Sequence, residues 1–123
     1  MAPTESQTND IAESVRRVIA AMLPNGRPDV QRVARFLGKN PRTLQRRLAA
    51  VGTSYSRVLH EVRYGTALRL LGDNRLTCLE ISVIMGYADP AHFTRAFKGW
   101  TGMSPRDFRS RRRELPIAEV NRE

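Results

Sequence analysis

The stretch "DPAHFTRAFKGWTG", Asp89 to Gly102, decides the fold. Its aromatic residues Phe93, Phe97 and Trp100 take the i, i+4, i+7 places of one helix face. At roughly 100° per residue, the opposite face carries Ala91, Thr94, Arg95 and Lys98, which are small or cationic and include no carboxylate. The first face calls for a core and the second for a polyanion.

The same pattern occurs once before in the chain. "VARFLGKNPRTLQRRLAAVG" and "ISVIMGYADPAHFTRAFKGWTG" place Gly38 and Gly86 48 residues apart, Leu44 and Phe93 49 apart, and Gly52 and Gly102 50 apart. The single-residue slips fall in turns, where insertions are tolerated. Two copies are too few for a solenoid. Each reads as a short helix, a turn around Gly and a second helix with a basic outer face, which is the shape of a helix-turn-helix.

In the first copy the second helix is expected to bury Leu44, Leu48 and Val51 and to present Arg42, Gln45, Arg46 and Ala49. These outer positions align with Ala91, Thr94, Arg95 and Lys98. A helix with such a face can enter a major groove, where Arg bonds guanine O6 and N7, Gln bonds adenine N6 and N7, and small side chains touch a thymine methyl. The expected base contacts are Arg42, Gln45, Arg46, Ala91, Thr94 and Arg95. Lys39, Asn40, Thr43, Arg47, His92 and Lys98 are expected at the phosphates, which position a protein without specifying sequence.

Helix starts are signalled by side chains that accept hydrogen bonds from free first-turn N–H groups. Asp10 with Glu13 predicts a start for the stripe Ile11, Val15, Val18, Ile19 and Met22, ending at Pro24-Asn25-Gly26. Asp29 opens the next helix, and Asn40-Pro41 and Asp89-Pro90 place a cap beside a proline at the first helical position. A longer helix follows Gly52, with Val58, Leu59, Val62, Leu68 and Leu71 among its apolar positions and Gly65 inside it. Thr77 with Glu80 forms a capping box, and Ser104-Pro105 begins a last turn or two before "RSRRRE".

The expected fold is all-α, with about seven helices in two helix-turn-helix subdomains joined by a long linker helix. The expected organisation is a disordered polar tail over 1–9, a first subdomain over 10–53, the linker over 54–73, a second subdomain over 74–110 and a basic tail over 111–123. The run Arg109 to Arg113, which straddles the start of that basic tail, is expected to be a disordered tail that adds nonspecific DNA affinity.

Charge supports the polyanion. Across 123 residues, 21 Lys and Arg stand against 12 Asp and Glu, a net charge of +9, and the whole excess lies beyond residue 27. The lone Cys78 excludes an intrachain disulfide and a CxxC zinc or redox motif. His60-Glu61 lacks the second histidine of a zinc-protease helix. No paired carboxylates, nucleophile with base or phosphate loop argue for an enzyme, and no metal or cofactor is expected. "MAPTESQTND" is no signal peptide, and no apolar run approaches the roughly 18 residues of a membrane span. A cytoplasmic, nucleoid-associated protein is expected.

The tandem arrangement, the linker segment "EVRYGTALRLL" and above all "ISVIMGYADPAHFTRAFKGWTGMSPRDFR" resemble the DNA-binding domain of AraC/XylS-type bacterial transcription regulators over about residues 10 to 110. Ile81, Gly86, Tyr87, Asp89, Phe93, Arg95, Phe97, Lys98, Gly102, Ser104, Pro105 and Phe108 followed by Arg109 fall on the family pattern. Ser82 departs from the usual Ala, its hydroxyl being able to bond the carbonyl four residues back, and Gly65 stands where a helix former is more usual. The resemblance implies two recognition helices entering successive major grooves on one face of a duplex. Those entries lie about 34 Å apart, against about 27 Å for an 18-residue helix, so a rigid linker implies bent DNA or a partial second contact.

A sequence-specific transcription regulator is the leading reading, with a nonspecific or architectural DNA-binding protein as the alternative. Double-stranded DNA is the expected partner and RNA polymerase a further one. A monomer with neither a small-molecule ligand nor a membrane role is expected.

Overall fold

The computed structural model describes residues 3–26 and 28–114. Seven helices follow in order: α1 (Pro3–Met22), α2 (Val30–Phe36), α3 (Pro41–Ala50), α4 (Tyr55–Leu71), α5 (Cys78–Ile84), α6 (Pro90–Thr101) and α7 (Pro105–Glu114), with a 3₁₀ turn at Leu23–Asn25 after α1. No strand occurs among the described residues, so the all-α expectation holds.

The caps explain most of these boundaries. Asp29 accepts from the Arg32 N–H at 2.8 Å, Asn40 from Thr43 at 2.8 Å, Ser54 from Arg57 at 3.2 Å and Ser104 from Asp107 at 3.1 Å. Thr77 and Glu80 close the capping box at 3.0 and 2.8 Å. Asp89 reaches the Ala91 N–H, one position earlier than the usual third residue.

Two expectations are corrected. Asp10 does not start α1, which begins at Pro3 and takes in most of the residues read as a tail. Proline suits the first helical position, and nothing between it and Asp10 breaks a helix. A capping pair marks a permitted start without excluding an earlier one. The last helix is also more than a turn or two. α7 has 10 residues and includes the Arg109–Arg113 run read as disordered. The rest of the expected basic tail, residues 115–123, lies outside the described residues.

Helix faces gather into two apolar clusters. Val15 and Ile19 of α1, Val33 of α2, Leu44 and Leu48 of α3 and Val58 of α4 are all fully buried in the first. Ala67 and Leu71 of α4, Ile81 of α5, and Phe93 and Phe97 of α6 form the second. Trp100 and Phe108 pack half-buried against it. Removing such side chains from water is worth about 1.5–3 kcal/mol each. α4 therefore belongs to both clusters, its first half to one and its second half to the other. The exposed Gly65 lies between the halves, and the helix runs through it unbroken.

Side-chain anchors fix the loops. Tyr55 donates its hydroxyl to the Pro28 carbonyl, tying the start of α4 to the segment before α2. Burial, with Asp29 nearby, pushes this phenol up to about 12. Ser82 is fully buried and donates to the Leu79 carbonyl at 2.7 Å, three residues back instead of the expected four.

The two turn glycines of the repeat share a backbone state but not an environment. Gly38 and Gly86 have φ of +71° and +83°, a region that L side chains adopt at a cost. A Cβ on Gly38 would meet nothing within 4 Å, whereas one on Gly86 would lie 1.9 Å from the Leu23 carbonyl oxygen. The turn of the second unit thus presses its backbone against the 3₁₀ turn that follows α1. Gly38→Ala is expected to cost about 1–2 kcal/mol from the left-handed backbone alone. Gly86→Ala should cost clearly more, as measured by urea unfolding of both variants under one condition.

Candidate nucleic-acid interface

Each second helix of the repeat is set by the same local device. A capping Asn or Asp precedes a proline at the first helical position, so α3 and α6 both start sharply out of a glycine turn. Apolar residues then turn each helix inward, with Leu44 and Leu48 fully buried on α3 and Phe93 and Phe97 on α6.

The outward faces are left for other work. Arg42, Gln45, Arg46, Arg47 and Ala49 are exposed on α3. On α6, Ala91, His92, Arg95 and Lys98 are exposed and Thr94 is half-buried. Before α3, Lys39 is half-buried and Asn40 is exposed, its side-chain oxygen committed to the cap, and in the first turn of α3 Thr43 is half-buried. Among the described residues the ion pairs join Arg16 to Glu13 and Glu61, Arg17 to Glu13, and Arg75 to Asp73, and none involves α3 or α6. Among the described residues, no carboxylate pairs with the cations of either face. Exposed guanidinium groups in that state suit phosphate and base edges, which supply the missing acceptors.

The structure adds a brace that spacing alone did not reveal. Arg109 was read as tail, yet its guanidinium donates to the Leu76 carbonyl at 2.7 Å, to Leu71 at 3.1 Å and to Asp73 at 3.3 Å. It thereby satisfies carbonyls at the open end of α4 and ties down the loop leading to α5. Arg112 adds a longer bond to the Leu68 carbonyl at 3.4 Å. In the same loop Arg75 pairs with Asp73 and holds that half-buried carboxyl below the usual carboxylate range. A helical reading of Phe108, Arg109 and Arg112 as one face carried the signal for this brace.

A second brace is aromatic. The Trp100 ring lies edge-on to His60 at 5.6 Å and to Tyr64 at 6.0 Å, and His60 stacks on Tyr64 at 5.9 Å. These contacts join the end of α6 to the middle of α4, and Phe97 meets Phe108 of α7 at 5.3 Å. The second helix of the second unit, α6, is thus held by α4, α5 and α7 together.

Two such units, each offering a cationic second helix, define a tandem helix-turn-helix protein of the DNA-binding class. Comparison with known proteins gives the family. A helix-turn-helix domain model matches residues 33–111. The ornithine utilization regulator of Pseudomonas aeruginosa is 41% identical over 95 residues, covering 77% of this chain and 28% of that regulator. A DNA-binding transcriptional dual regulator of Escherichia coli K-12 superposes with a TM-score of 0.72 at 28% identity, covering 82% of this chain and 90% of that one. An AraC-type DNA-binding regulator from Chromobacterium violaceum shares the fold, with a TM-score of 0.70 at 20% identity over 85% of this chain and 94% of its own. The chain belongs to the AraC/XylS-type helix-turn-helix family. It spans less than a third of the length of the ornithine regulator, 28%.

Arg109→Ala is expected to remove about 3 kcal/mol, since hydrogen bonds to a charged donor contribute about 1.5–3 kcal/mol each and the carbonyls lose their partner. Arg109→Lys should recover little of it, because a single ammonium lacks the planar fork. Amide exchange should accelerate in α5 to α7 while α1 to α3 keep their protection.

Proposed function

We propose that the protein is a sequence-specific regulator of transcription that inserts α3 and α6 into successive major grooves on one face of a duplex. The observation that carries this reading is the duplicated outward face, exposed, free of carboxylates and rich in donors, at matching positions of two repeats. Family membership supports DNA as the ligand.

The two faces differ in chemistry, so the site they read is asymmetric. α3 offers three long donors, Arg42, Gln45 and Arg46, where α6 offers Ala91, Thr94 and Arg95. Arg42, Gln45, Arg46 and Arg95 contact base edges, and Ala91 and Thr94 lie at thymine methyls. Lys39, Asn40, Thr43, Arg47, His92 and Lys98 contact the backbone. Two unlike readers on one chain need no twofold symmetry, and this chain acts as a monomer. Occupancy of a promoter-proximal site then recruits or blocks RNA polymerase.

Linker geometry shapes the bound state. The 17 residues of α4 span about 25 Å at 1.5 Å per residue, short of the roughly 34 Å between groove entries. The duplex bends toward the protein, or the second helix enters its groove only in part.

Selection of bound sequences from a random duplex pool tests the whole reading, and recovery of no preferred site would overturn it. Arg46→Ala should cost about 1–3 kcal/mol on the selected site and relax one base position. With about 6 phosphates neutralised, log K should fall against log salt with a slope near −5, measured by fluorescence anisotropy.

A further inference from the structure

Two clefts occupy equivalent places in the two repeats. The first, of about 570 Å³, has Asp29, Gln45, Ser54 and Ser56 in its lining. The second, of about 720 Å³, has Thr77, Thr94, Ser104 and Arg106 at the corresponding positions. These pairs lie 48, 49, 50 and 50 residues apart, the spacing of the sequence repeat itself. Each cleft therefore opens beside the middle of a recognition helix, next to a residue that reads bases in the function proposed above. When a helix lies in a major groove, that flank faces the phosphate ridge bounding the groove.

The two clefts differ in charge. The first includes the Asp29 carboxylate, and it also includes Arg63, whose Nε is buried without a partner. The second has no carboxylate in its lining, four hydroxyl groups at Thr77, Thr94, Ser104 and Ser110, and two arginines. Arg109 spends its guanidinium on backbone carbonyls, as described above, which leaves Arg106 as its free cation. Arg106 is exposed, and no ion pair engages it among the described residues. It stands in the first turn of α7, where the helix dipole disfavours a cation. Its position thus gains nothing from the fold and suits an anion arriving from outside.

We infer that the second cleft seats a backbone phosphate of bound DNA, held by Arg106 with the hydroxyls of Thr77, Ser104 and Ser110. The second unit is then chiefly an anchor and the first chiefly a reader, which matches Arg95 being the one long donor that α6 offers to base edges. This inference rests on the proposed DNA-binding function.

The test is Arg106→Gln, titrated by fluorescence anisotropy against the selected duplex and a scrambled one across a salt series, with Arg46→Ala alongside. Arg106→Gln should weaken both duplexes alike, by about five- to tenfold, and flatten the salt slope by about 1. Arg106→Lys should restore most of the loss, because a point charge serves a phosphate. Arg106→Gln should melt like the parent by circular dichroism. Unchanged affinity and slope, or a loss confined to the selected duplex, would overturn the phosphate seat. If Arg46→Ala still relaxed the base preference in that case, the proposed function would stand without it. If the parent protein itself did not distinguish the duplexes, the proposed function would fail instead.

Discussion

One helix buried at both ends in different cores holds this molecule together. The first half of α4 fills a pocket among α1, α2 and α3 with Val58, and its second half closes α5 and α6 with Ala67 and Leu71. Neither helix-turn-helix unit can complete its core without α4, because the outer sides of α3 and α6 are withheld from packing. The requirement that leaves Arg42, Arg46 and Arg95 free for a ligand thus makes the linker a structural partner of both units. The backbone approach of Gly86 to Leu23 and the three bonds of Arg109 then restrict how the second unit can turn about α4.

The copies have diverged where divergence costs the fold least. Inward positions keep size and apolarity, Leu44 matching Phe93 and Leu48 matching Phe97. Outward positions have changed chemistry, from Gln45 to Thr94 and from Ser56 to Arg106. A duplicated scaffold carries two chemically different surfaces, and the difference between them is written in side chains that bury little; the proposed division of labour rests on it.

Much of this was legible in the sequence because capping and periodicity are local. Asp29, Asn40, Thr77, Asp89 and Ser104 each accept a first-turn N–H, and the stripes at Leu44, Leu48, Phe93 and Phe97 are core. Asp10 misled because a good cap does not forbid the helix from starting earlier. The Arg109–Arg113 run misled for a different reason. A dense positive charge reads as solvated tail unless one knows which carbonyls lie within reach, and those of Leu71, Asp73 and Leu76 sit more than thirty residues away. The division of α4 between two cores is hidden for the same cause. Its apolar residues change sides along the helix, so no single stripe announces them. The outward faces were readable as cationic, whereas the clefts beside them exist only once distant helix starts converge.

The aromatic contact between α6 and α4 has a use beyond packing. Trp100 is the sole tryptophan of the chain, and it sits edge-on to His60 and Tyr64 at the joint between the linker and the second recognition helix. Its emission is therefore a built-in gauge of that joint. If α6 enters a groove as proposed, a change in its angle to α4 on docking would alter the polarity and quenching around one indole, and the molecule would signal that docking without an attached dye.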